Sequence, residues 1–195
     1  MSLFTNPEIV RNARIQLRPK RMISAAALCA ALQVSLIYAF LRGGFAADSA
    51  NVVYGGGQGL LHTILWIQAA VLVIGGGVAS IHAIQREKDQ NTFDFQRLTR
   101  LSPFELTMGK LFGAPLMAYF VFACLLPAAT IGVVAGGASR QFVLVAYVLL
   151  VLGAIVYMAF ALVISLFLHR GAVTWAILLF ILIVAVTSGS TSNLA

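Results

Sequence analysis

The chain has 195 residues, of which 61% are hydrophobic and 10% charged, and it carries a net charge of +7; its mean hydropathy is +0.95. A soluble domain holds about 25% charged residues, so the composition excludes one and implies an all-α, polytopic helical bundle in a membrane. The basic balance does not argue for nucleic acid, because the Lys and Arg residues flank apolar runs, where they orient a membrane protein and meet anionic lipid.

Residues 1–21 read as an amphipathic interfacial helix. Asn6 is a cap, Pro7 suits the first helical position, and Glu8 lies near the positive end of the helix dipole. Ile9, Val10, Ala13 and Leu17 share one face, Arg11, Arg14 and Arg18 share another, and Pro19 ends the pattern. The three arginines are expected to meet lipid headgroups. Residues 22–41 form the first span, too long for a cleavable leader, with Gln33 expected to bond a neighbouring helix. Residues 42–59 read as a loop, with Gly55-Gly56-Gly57 as a flexible turn rather than a phosphate cradle, since the Walker A spacing is missing.

The second span is expected over 60–84, with Trp66 at an interface and Gly75-Gly76-Gly77, Ala79 and Ser80 as a small-residue packing face. Spans at 111–134, 142–168 and 172–187 follow, the third kinked at Pro115 and Pro127, and a polar end occupies 188–195. About five spans therefore result. Cys29 and Cys124 lie inside apolar runs and read as packing residues. His62, His82 and His169 sit near span ends, and no metal-ligand or catalytic constellation emerges, so the chain reads as neither an enzyme nor a metalloprotein. Eleven of the thirteen Lys and Arg residues fall on the side shared by the N-terminus and the segment 85–110, which makes that side cytoplasmic; five spans put the C-terminus opposite.

The segment 85–110 is the one long polar interval. Asp89-Gln90-Asn91 is expected to break the helix leaving the membrane, with Asn91 suited to a left-handed cap. Thr92 then starts a short helix to Leu101, with Phe95 and Leu98 on one side and Arg97 and Arg100 on others. Ser102-Pro103-Phe104-Glu105 is a capping box opening the third span, and Lys110 is placed to snorkel toward headgroups.

This stretch resembles ABC-transporter permeases of the type-2 exporter class, whose second and third spans are joined by a pattern like E-R-E-x-G-T-L-E-x-L-L-x-T-P-L-S-x-x-E-x-x-x-G-K. Here Glu87-Lys88-Asp89-Gln90-Asn91-Thr92-Phe93-Asp94, then Thr99-Arg100-Leu101-Ser102, Glu105 and Gly109-Lys110 match it without a gap, with Lys88 for Arg, Asp89 for Glu, Asn91 for Gly and Arg100 for Pro. The N-terminal NPE…LRPKR segment also resembles the interfacial helix that opens many such permeases. The resemblance implies a coupling helix that docks into a cytoplasmic ATPase through Phe93, Asp94, Phe95, Arg97, Leu98, Thr99 and Leu101. By the same analogy Glu87, Asp89, Asn91, Ser102, Glu105 and Lys110 would orient the elbow. It further implies a second permease subunit, a bacterial-type inner membrane, and ATP with Mg on the partner, since this chain has no Walker A sequence. Such permeases usually add a sixth span and an outer hairpin, which the matched layout does not include. The alternative expectation is a non-transporting structural or assembly subunit on the same scaffold.

Overall fold

The computed structural model of the chain describes residues 7–47, 50–89, 103–167, 173–174 and 177–178, and every described element is helical. Helix α1 spans Pro7–Gln16 and α2 Pro19–Ala47. Helix α3, Ala50–Ala70, runs through a π-helical turn, Val71–Gly75, into α4, Gly76–Asp89. Helices α5 (Pro103–Gly113), α6 (Leu116–Cys124) and α7 (Leu126–Ala135) follow one another in the chain with breaks between them, and α8 covers Arg140–Phe167.

Among the described residues, four stretches are long and apolar enough to cross a bilayer: Pro19–Arg42, Val53–Asp89, Thr107–Ala135 and Arg140–Phe167. Large apolar side chains stand exposed along α2 (Ile23, Leu28, Val34) and α8 (Leu144, Leu149, Phe160), a surface suited to acyl chains and not to water. The chain is a multi-pass membrane protein. Apart from residues 173–174 and 177–178, the expected fifth span lies outside the described residues, as does the expected helix from Thr92 to Leu101.

Two expectations are corrected. The described residues of 42–59 are helical: α2 continues to Ala47, and Gly55-Gly56-Gly57 lies within α3. The reason is close packing. A Cβ on Gly56 would collide with the Phe40 carbonyl, one on Gly57 with the backbone of Ala135 and Gly136, and one on Gly132 would lie 2.9 Å from the Leu61 nitrogen. Glycine's helix-breaking tendency, about 1 kcal/mol per residue, is outweighed where it lets backbones approach. The second correction concerns Pro19. Helix α1 already ends at Gln16, and Pro19 opens α2, since a proline at a first helical position gives up an N–H that has no partner there anyway.

The contacts divide the chain into two compact units. One comprises Ala13–Leu72 and Leu116–Ala154; the other comprises Met1–Asn12, Val73–Pro115 and Ile155–Ala195. In the first, Leu60, Ile64, Ala128 and Ala129 form a buried cluster joined by Leu36, Ile37, Phe40 and Tyr147. The turn after α7 is set by Gly137 at φ 58°, with Ala138 N–H donating to Val133 O at 3.2 Å. That pairing is a Schellman closure, which requires the left-handed backbone that glycine supplies. Ser139 Oγ then accepts the Phe142 N–H at 3.3 Å and starts α8.

The third span breaks where its prolines predict, at Ala114-Pro115 and at Leu125, two residues before Pro127. At the second break Gln33 acts as a splint. Its Nε2 donates to Cys124 O at 3.0 Å, and its Oε1 accepts the Ala128 N–H at 3.1 Å. A continuous α-helix would join those two backbone groups to each other. The same Nε2 reaches Cys29 O at 3.1 Å, and both cysteines are free thiols. Replacing Gln33 by Leu leaves a carbonyl and an N–H unmet in lipid. Interhelical bonds of this kind are worth about 0.6–2 kcal/mol each, so Gln33→Leu is expected to lower stability by about 1–3 kcal/mol, read as a lower unfolding midpoint in mild detergent. An unchanged midpoint would mean that the splint contributes nothing.

Candidate functional site

The described part of the candidate site is the base of the polar segment, where α4 leaves the membrane helix and α5 returns. Val53–Asp89 is 37 residues long. At ~1.5 Å per residue that is ~55 Å against a hydrocarbon core of ~30 Å. Its charged end, Arg86 to Asp89, therefore belongs outside the core, where ionised side chains are tolerable.

Two charges at that end are nevertheless buried. Glu87 is 6% exposed and Lys110 5%, and the Lys110 ammonium donates to the Glu87 carboxylate. The partners are 23 positions apart in sequence, so the pair closes the polar segment at its neck. Glu87 sits in the last turn of α4, where the helix dipole disfavours a carboxylate, and the lysine offsets that as well as the loss of water. Lys110 does not snorkel toward headgroups as its position beside the span suggested; burial beside Glu87 gives it a closer counter-charge.

The neighbouring cation performs a different task. Lys88 Nζ donates to Ser165 O and Leu166 O, both at 2.8 Å, capping the C-terminal carbonyls of α8. Ser165 Oγ in turn donates to Ile81 O at 3.2 Å. Beneath this polar layer lies an apolar one: Ile81, Tyr157 and Ala161 are buried together, with Val73, Ile164 and Val173 packed against them. Gly76 and Gly77 make room for it, since a Cβ on Gly77 would lie 2.6 Å from the Tyr157 ring and one on Gly76 would collide with Met158. The small-residue face expected at Gly75-Gly76-Gly77 is thus occupied by α8. Ser80, on the same helix, is fully buried, and its Oγ has no hydrogen-bond partner among the described residues.

Of the sequence-derived site residues, Glu87 and Lys110 are brought together, while Asp89 is exposed. Glu105 lies in the first turn of α5, which begins at Pro103, the N1 position that a cap at Ser102 requires. Arg11, Arg14 and Arg18 are all exposed. Asn91, Phe93, Asp94, Phe95, Arg97, Leu98, Thr99, Leu101 and Ser102 lie outside the described residues. Sequence reasoning missed the Lys88 cap and the partners of Gln68, whose Nε2 donates to Phe122 O at 3.4 Å and whose Oε1 accepts from Tyr147 at 3.0 Å. An amide inside an apolar run was the available signal for Gln68. Nothing local signals that Lys88 reaches a helix end 77 positions away.

No protein-family model, curated protein or solved structure matches this chain. The neck and its charges therefore stand on their own geometry.

Removing one partner of a buried ion pair leaves an uncompensated charge, which costs about 3–5 kcal/mol. Lys110→Met and Glu87→Leu are each expected to lower the unfolding midpoint sharply, and the double variant to recover most of the loss. A double variant as unstable as the sum of the singles would show that the two groups do not act as a pair.

Proposed function

We propose that this chain is the membrane-spanning subunit of an ATP-driven exporter of the type-2 ABC class, with the polar segment between its second and third spans gripped by a cytoplasmic ATPase. The observation that carries the reading is the closed neck. A segment whose two ends are joined by a buried ion pair, Glu87 to Lys110, passes force applied to its middle directly to α4 and α5. Lys88 extends the connection to the C-terminal end of α8. The permease pattern aligns from Glu87 to Lys110 without a gap, although Gln96 and Arg97 stand where it has two leucines, and that spacing supports the same reading.

In this scheme Phe93, Phe95, Leu98 and Leu101 supply the apolar contact with the ATPase, and Asp94, Arg97 and Thr99 its polar rim. Burial of a few aromatic and aliphatic anchors accounts for most of the affinity of such small docking surfaces. ATP and Mg belong to the partner. A second permease subunit completes the pathway, the N-terminus is cytoplasmic by the Lys and Arg asymmetry, and the membrane is a bacterial-type inner membrane.

The test is purification from the native membrane in mild detergent. An ATPase is expected to accompany the chain, and Phe95→Asp with Leu98→Asp to release it while the membrane domain keeps its unfolding midpoint. Retention of the ATPase after both changes would remove the docking scheme. A stoichiometric complex with no ATPase would instead support a structural subunit on a permease-like scaffold.

A further inference from the structure

A cationic patch precedes the first membrane-crossing stretch, a neighbouring glutamine reaches the start of α6, and the docking scheme uses neither. Arg14, Arg18, Lys20 and Arg21 are all exposed, and Pro19, among them, opens the first membrane-crossing stretch. Their place in the chain puts them at headgroup depth, since the apolar run begins at Met22. The only carboxylate among the first 47 residues is Glu8. The sequence thus supplies little local counter-charge, and four cations this close repel one another unless anions gather around them.

The opposite side of the same segment holds Gln16. Two residues from Arg14, it lies roughly 200° around the helix. Its Oε1 accepts the Met117 N–H at 3.3 Å. Met117 is in the first turn of α6, just past the Ala114-Pro115 break, where backbone N–H groups lack intrahelical partners. One short segment therefore presents cations outward and holds the end of a broken membrane helix inward.

We infer that anionic phospholipid headgroups bind the Arg14, Arg18, Lys20 and Arg21 patch, and that this binding steadies the Gln16 cap on the first turn of α6. Lipid is the occupant because the patch directly precedes a span and the attraction to an anionic membrane surface adds with each cation near it. The inference does not depend on the exporter reading, since no ATPase enters it.

The test uses the full chain in vesicles of phosphatidylcholine alone or mixed with phosphatidylglycerol, followed by hydrogen–deuterium exchange of the peptide containing Met117. Exchange is expected to slow several-fold in the anionic vesicles. Replacing Arg14, Arg18 and Arg21 by Gln should abolish that dependence and leave exchange in pure phosphatidylcholine unchanged. Gln16→Leu should lose the protection in both lipids while phosphatidylglycerol still binds, as read by quenching from a labelled lipid; this separates loss of the cap from loss of the patch. Equal exchange in the two vesicle types would overturn the inference, and so would a phosphatidylglycerol effect that survives the three substitutions. Protection produced by inorganic phosphate in phosphatidylcholine vesicles would also overturn it, because the site would then recognise the free anion and not the lipid surface.

Discussion

A backbone polar group in lipid has no water to turn to, and a membrane helix broken by proline must find its partners elsewhere in the protein. The third span of this chain breaks twice, and side-chain amides attend both breaks. Gln16 takes an N–H beyond Pro115, and Gln33 takes both a carbonyl and an N–H around Leu125. Gln68 takes the Phe122 carbonyl one turn earlier and is itself held by the Tyr147 hydroxyl, whose ring meets Phe122 edge-on at 6.2 Å. An amide suits this work because it offers a donor and an acceptor a short distance apart, the same pair that an interrupted backbone leaves open. It also brings no charge into the hydrocarbon.

The second unit solves a different problem with different chemistry. Where α4 and α5 meet, the chain must bring two charged helix ends together, and it does so by matching them, Glu87 with Lys110 and Lys88 with the carbonyl end of α8. Buried ion pairs add little net stability compared with apolar contacts, but they are strongly specific, since either charge alone is far worse than both. The apolar layer beneath, in which Tyr157 and Met158 fill the space left by Gly77 and Gly76, supplies the packing. The charges decide which residues face each other.

How much of this was legible beforehand depends on whether the signal was local. Apolar runs and prolines gave the membrane class, four of the spans and both breaks, because the bilayer imposes one length and Pro removes an N–H wherever it stands. Gln33 was readable for a related reason: an amide in a long apolar run must find a partner. The glycines at 55–57 misled, since glycine permits a flexible turn and a close helix contact equally, and only the position of Gly136 and Phe40 distinguishes them. Lys110 misled similarly. A lysine at a span end snorkels by default, and its counter-charge comes from another helix. The Lys88 cap joins residues 77 positions apart, which no short motif announces.

These failures share a cause that also explains the fold. Apart from Pro19, whose place at the start of α2 is local, each misread position is one where a residue's role is set by another helix: a glycine by the backbone that approaches it, a lysine by the carboxylate across from it, a lysine by a distant helix terminus. In a soluble protein the hydrophobic pattern would already indicate which faces meet. Here lipid is as apolar as the helices, and the pattern specifies only what enters the membrane. Pairing must then be specified by the few features lipid cannot satisfy, namely glycine gaps, amides and charges. Gly57 against Gly136, Gln33 against the Leu125 break, and Glu87 against Lys110 are three such features, and they join α3 to α7, α2 to the ends of α6 and α7, and α4 to α5. An apolar substitution on the exposed faces of these helices exchanges one lipid-like surface for another, whereas a change at any of these positions removes the information that says which helices belong together.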